Sequence, residues 1–336
     1  EKSDKMSSFI NVVGHKNIIQ YISSAVTSGK ISHAYILNGD RGSGKKLMAK
    51  LFAMSLQCQN RKEDGDPCGQ CQSCKQAVHG NQPDIIYVTH EKPNSISVDD
   101  IRTQVNNDIV IKPYGSPYKV YIIPEADLMT EQAQNALLKT VEEPPEYAVI
   151  MLLTENARAL LPTVCSRCVM LRLRNTKDQL VKKYLMEQLL VPDYKADVCV
   201  AFAQGSIGKA VMLANSEHFN EIKEDVVHLM REINDMQTEQ LVEAVKRCMT
   251  YKVELNDYLD MIAVWFRDVL IYKATRNVDR VIFADQLRYI KERASRSSYE
   301  GIENILDALE KAKSRLDANV NLELTMDLLL QAIKEN

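Results

Sequence analysis

Ala34-Tyr35-Ile36-Leu37-Asn38-Gly39-Asp40-Arg41-Gly42-Ser43-Gly44-Lys45-Lys46 is the stretch that decides the fold of this chain. An apolar run ends in a glycine-rich loop, and a helical pattern (Leu47, Met48, Leu51, Phe52, Met54) begins at Lys45. Strand, glycine loop, helix is the setting in which G-x-x-x-x-G-K cradles phosphate. The glycines let backbone N–H groups close on the anion, and the lysine reaches its oxygens. Gly39, Gly42, Gly44 and Lys45 are therefore the candidate phosphate ligands. The motif stops one residue short. The next position normally holds Ser or Thr, whose hydroxyl coordinates the Mg²⁺ between the β- and γ-phosphates, and here it is Lys46, which cannot ligate a cation.

Outward from this loop, further apolar runs read as buried parallel strands: Asp84–Val88, Lys119–Ile123, Ala148–Leu153 and Val169–Leu173. Helical periodicity is expected over Asn17–Ser28, Val98–Ile109 and Glu131–Val141. Strands alternating with helices predict an α/β domain with a parallel sheet and its ligand site at the C-terminal strand ends. After Asn175 no strand pattern remains and amphipathic helices dominate, including Tyr258–Thr275 and Tyr299–Leu316. The expected division is an α/β domain over 1–175, a small helical domain over 176–217 broken at Gly205-Ser206-Ile207-Gly208, and an all-α domain over 218–336.

Composition agrees with a soluble helix-rich protein. Of 336 residues, 45% are apolar, 26% charged and 6% aromatic, and the net charge of −3 gives no sign of a strongly basic nucleic-acid binder. No apolar run approaches the roughly 20 residues of a membrane span. The first residues lack an apolar signal region, so the expected location is cytoplasmic.

In that compartment disulfides are rare, which makes the clustering of four of the eight cysteines informative. Cys58-x₉-Cys68-x₂-Cys71-x₂-Cys74 offers four thiolates around Gly65, Pro67 and Gly69. Four sulfur ligands fill the tetrahedron of Zn²⁺ and leave no open position, so the expected role is structural. A redox C-x-x-C would not use the other two cysteines.

The second nucleotide motif is altered as well. Val120-Tyr121-Ile122-Ile123-Pro124-Glu125-Ala126-Asp127 is an apolar strand leading to acidic residues, with Pro124 where a metal-holding Asp belongs. Glu125, which would polarise an attacking water, is present. With both Mg²⁺ contacts missing, Mg²⁺ binding and hydrolysis are not expected. Lys45 reads either as a phosphate ligand or as a vestige, and ATP binding stays open.

These motifs, the cysteine insertion, and Leu137-Leu138-Lys139-Thr140-Val141-Glu142-Glu143-Pro144-Pro145 together resemble the clamp-loader subunits of bacterial DNA polymerase III, within the AAA+ superfamily, and most closely the δ′ type. Val13-Gly14-His15 and Ser32-His33-Ala34-Tyr35 resemble the same family; the likeness is strong over the first 175 residues and weaker at Trp265-Phe266-Arg267-Asp268 and near Asn319. The resemblance implies a lid and a collar after the AAA+ domain. It implies a hetero-pentamer with δ and γ/τ subunits, which places the β sliding clamp on primer–template DNA as part of a DNA-directed DNA polymerase holoenzyme. It also implies that Thr163-Val164-Cys165-Ser166-Arg167-Cys168 carries an arginine finger, Arg167, for the neighbouring ATP site. Spacing alone leaves Arg167 as a surface residue in a local ion pair. By the same resemblance Thr154 or Asn156 holds the first sensor position, and Gly208 stands where motor subunits carry an arginine. The implied role is a stator without ATPase activity of its own. The alternative is an ATP-hydrolysing γ/τ-type motor, which would need Ser or Thr at position 46 and Asp at 124. An independent nucleic-acid-binding module is a third reading, disfavoured by the charge balance.

Overall fold

The computed structural model describes residues 7–336 apart from 93, 252–254 and 319. Five strands form one parallel sheet: β1 (Ala34–Asn38), β2 (Ile85–Tyr87), β3 (Lys119–Ile123), β4 (Ala148–Thr154) and β5 (Val169–Arg172), in the order β2-β3-β4-β1-β5. The interior strands β3 and β4 are buried along their whole length, as continuous Val/Ile/Leu runs must be when helices cover both faces. The edge strands β2 and β5 are shorter and partly exposed. Because β1 lies between β4 and β5, Asn38 at its end is in register with both Thr154 and Arg172.

Two apolar layers sandwich the sheet, and the two-residue period of β1 splits it between them. Tyr35 and Leu37 join Ile22, Met48, Leu51 and Phe52 from α1 (Lys16–Ser28) and α2 (Lys45–Gln57). Ile36 faces the other layer, with Leu137 and Val141 of α5 (Glu131–Glu142) and Val164 of α6 (Pro162–Cys165). Between these lie two helices in chain order, α3 (Gln72–His79) and α4 (Val98–Ile101).

One expected helix is altered. The pattern over Val98–Ile109 gives α4, started by a Ser97/Asp100 capping box, and then a π-helical turn over Arg102–Asn106. The widened turn accompanies tertiary contacts that an ordinary helix would have to satisfy differently. Asn106 bonds the Ala136 carbonyl and the Thr140 hydroxyl, and Asp108 meets the buried Lys119 at 2.8 Å and the Tyr121 hydroxyl at 2.8 Å.

The chain divides into two compact units, one running to Tyr184 and including Ala203–Ala210, the other made of Leu185–Phe202 and Val211–Asn336. Among the described residues everything after Arg172 is helical or irregular: α7 (Asp178–Leu189), α8 (Asp193–Ala203), α9 (Ile207–Asn215), α10 (Glu217–Glu232), α11 (Thr238–Cys248), α12 (Leu255–Thr275), α13 (Leu287–Arg296), α14 (Tyr299–Asp317) and α15 (Leu322–Glu335). Trp265 is buried in the core of the second unit and tilts against Phe283 at 5.6 Å. Asp268 is fully buried beside it and accepts the N–H groups of Ile282 and Phe283, each at 2.8 Å. Among the described residues no helix is long and apolar enough to cross a membrane.

Candidate functional site

Gly42 and Gly44 give the phosphate loop its left-handed turns, with φ of 77° and 95°. Space around Gly44 is open, but Gly42 is packed by the Ser206 hydroxyl and the backbone of Gly208 and Lys209. The Gly208 N–H donates to the Gly42 carbonyl at 3.0 Å, and the Ser206 hydroxyl donates to the Arg41 carbonyl at 3.0 Å. Ser206 also accepts the Lys209 N–H, so the residue that caps the first turn of α9 is the one tied to the loop. A Cβ on Gly208 would lie 2.9 Å from both the Cα and the carbonyl oxygen of Gly42.

Lys45 is turned onto the loop itself. Its ammonium donates to the carbonyls of Gly39 and Asp40 and lies 3.6 Å from the Glu155 carboxylate. Burial lowers its pKa, with Glu155 working in the opposite direction. Lys46 is exposed, and beneath the loop Ser43 Oγ and Asn38 Oδ1 are buried without partners among the described residues. His15, left-handed at φ 53°, sits with Nε2 3.0 Å from the Ser43 carbonyl, which brings the Val13-Gly14-His15 segment to the loop.

At the end of β3, Pro124 supplies no carboxylate, and Glu125 holds a left-handed conformation (φ 53°) with its carboxylate 3.6 Å from His90. The two sensor candidates have local partners. Thr154 donates to Asp127 at 2.8 Å, and Asn156 accepts from the Arg158 N–H at 3.1 Å. The donor set therefore lacks both protein ligands of a nucleotide-bound Mg²⁺.

Arg167 follows the short helix α6 on the surface. Nη1 donates to the Thr163 carbonyl at 3.1 Å, and Nη2 meets Glu142 Oε1, on the last residue of α5, at 2.8 Å. Both side chains are less than half exposed, at 41% and 45%.

The four cysteines converge. Cys58 ends α2, Cys71 is the N-cap of α3, and Cys74 lies in that helix's first turn. All four sulfurs lie within 4.8 Å of one another, and the Cys58–Cys71 and Cys68–Cys74 separations are both 4.0 Å. Four sulfurs at about 2.3 Å around a tetrahedral metal would stand about 3.8 Å apart, so the cluster can hold a metal with little adjustment. Burial pushes the Cys58 and Cys74 thiols up. At Cys68 burial is outweighed by the N–H groups of Gln70 and Cys71 and the neighbouring thiols, which bring it down to about 6. A bound cation would hold all four as thiolates.

Several important residues were not legible in the sequence. Asp66, buried inside the cysteine loop, accepts from the Ser8 hydroxyl at 2.5 Å, the Phe9 N–H at 2.8 Å and Lys62 at 3.0 Å. It ties the N-terminal segment to the cysteine loop. Nothing local in the sequence marks the partners of Ser206 or Glu142, and α3 forms inside the cysteine segment, whose pattern reads only as a ligand set.

The family model described as DNA polymerase III, delta subunit, matches residues 14–177, and its C-terminal counterpart matches 213–334. DNA polymerase III subunit delta' of Bacillus subtilis is 30% identical over 95% of this chain and 95% of its own length. The tau subunit of the same organism is 26% identical over 92% of this chain, which spans 58% of that longer protein. A gamma subunit-related protein of DNA polymerase III from Thermotoga maritima has a similar structure at a TM-score of 0.43, with 21% identity over 94% of this chain and 98% of that one. The five-stranded parallel sheet with its glycine loop after β1, the helical C-terminal region and the match over 95% of each chain agree: the chain belongs to the family of DNA polymerase III clamp-loader subunits.

Proposed function

We propose that this chain is the δ′-type, non-hydrolysing stator of the clamp loader, assembling in the cytoplasm with δ and γ/τ subunits to place the β sliding clamp on primed DNA. The observation that carries this reading is the state of the phosphate loop. Its lysine is satisfied by the loop's own carbonyls, and its tip is bonded to the start of α9. A bound triphosphate would have to draw Lys45 off those carbonyls and would still find no hydroxyl at Lys46 and no carboxylate at Pro124. In this reading Gly39, Gly42, Gly44 and Lys45 are a retained fold element. The reading further divides the chain into an AAA+ domain (1–175), a lid (176–217) and a collar (218–336).

Arg167 is then the residue that acts on chemistry, as an arginine finger for the ATP site of a neighbour. A guanidinium beside a γ-phosphate stabilises charge spread over its oxygens and is worth about 10³-fold or more in turnover. Its exposure and its place between α6 and β5, the strand paired to β1, support that role. Cys58, Cys68, Cys71 and Cys74 hold a structural Zn²⁺, which supplies cross-linking of the loop and no chemistry.

The test is reconstitution with δ, γ/τ, β clamp and primed DNA. Arg167→Ala is expected to lower the complex's DNA-stimulated ATPase, and an unchanged rate refutes the finger. Vigorous Mg²⁺-dependent ATP turnover by the chain alone would instead identify a γ/τ-type motor.

A further inference from the structure

We propose that Glu142 is a positioning residue for Arg167, holding the guanidinium on the surface in the orientation from which it enters the neighbouring site. The inference rests on the finger role of Arg167 proposed above. It begins from a local inconsistency. Glu142 is the last residue of α5, where the helix dipole disfavours a carboxylate, so helix stability does not account for it. Its neighbour Glu143 makes no ion pair among the described residues, whereas Glu142 meets Arg167 Nη2 at 2.8 Å.

The two ends of this pair are carried by one rigid frame. Gln134 of α5, 3% exposed, donates through Nε2 to the carbonyls of Met129 and Ala159 and accepts the Leu161 N–H at 2.6 Å. Its amide thus fixes α5 to the segment entering α6. Val141 and Val164, each next to or near one member of the pair, are buried in the same apolar layer. The carboxylate and the guanidinium are therefore placed by packing, and the pair only has to select a rotamer.

A free arginine side chain spreads over many rotamers, and restricting it before the reaction removes that entropy from the barrier. Glu142 holds Nη2 and the Thr163 carbonyl holds Nη1, while Nε–H has no partner among the described residues. The fork is not used up by these two contacts: Nε–H and the second N–H of Nη2 are left to meet a γ-phosphate while Glu142 keeps its hold.

The test uses the reconstituted complex. Glu142→Ala is expected to lower kcat for ATP about three- to tenfold with KM unchanged, because only a transition-state contact is loosened. Glu142→Asp, which keeps the charge, is expected to recover part of the rate. In an Arg167→Ala background Glu142→Ala should have no further effect, and the isolated chain should melt at the same temperature. An unchanged or raised kcat for Glu142→Ala, or a further fall in the Arg167→Ala background, overturns the inference. Arg167→Ala with an unchanged rate fails the finger itself, a result read from that single variant before Glu142 is considered.

Discussion

Gly208 shows how one residue type can be read two ways. In the sequence it is an absence, the place where a motor subunit would carry an arginine; in the structure it is a contact, backbone against backbone with Gly42. Any side chain at 208 meets immovable atoms. Gly208→Ala is expected to destabilise the first unit by about 1–3 kcal/mol despite alanine's better helix propensity. A melting temperature equal to that of the unsubstituted chain would show that the contact yields. Residue-level departures at Lys46 and Pro124 were legible because a short motif fixes what belongs there. Ser206 was not, because its partner Arg41 lies 165 positions away and nothing local marks the pairing.

At the scale of elements, strands were the most legible. β1 and β3 begin and end where their apolar runs do, since parallel strands covered on both faces leave little room for polar residues. The cysteine loop was legible as a ligand set and illegible as structure. Helix α3 is short and polar, and Cys71 caps it with sulfur in place of the usual oxygen. The loop also does a second job through Asp66. Chelation, or Cys71→Ser, is expected to lower the stability of the first unit by on the order of 2–4 kcal/mol. It should also open residues 7–12 to limited proteolysis. Asp66→Asn should expose the same segment while metal analysis still finds the ion. Protection of 7–12 in both cases would mean that Phe9 packing alone holds the segment.

On the scale of the molecule, the change from strand to helix pattern near 175 was visible in the sequence, whereas the return of Ala203–Ala210 to the first unit was not, because only the fold brings that turn to the glycine loop. The second unit carries its own pH sensitivity. Burial raises the Asp268 carboxyl to about 6 from 3.8, against the pull of Phe283 N–H, Arg267 and Ile282 N–H. The folded state therefore holds its proton more tightly than the unfolded chain. That contribution is complete below 3.8 and is lost as pH rises through about 6. Acidification from about pH 7 to about pH 5 should raise the second unit's thermal stability relative to Asp268→Asn, by about 1 kcal/mol. Parallel pH profiles for the two proteins in differential scanning calorimetry would exclude Asp268 as the cause. The close approach of Gly42 and Gly208 also limits what can be built at this turn: a Cβ at 208 falls 2.9 Å from the Gly42 backbone, so Gly208→Arg places no side chain there unless the 206–209 turn first moves off the loop.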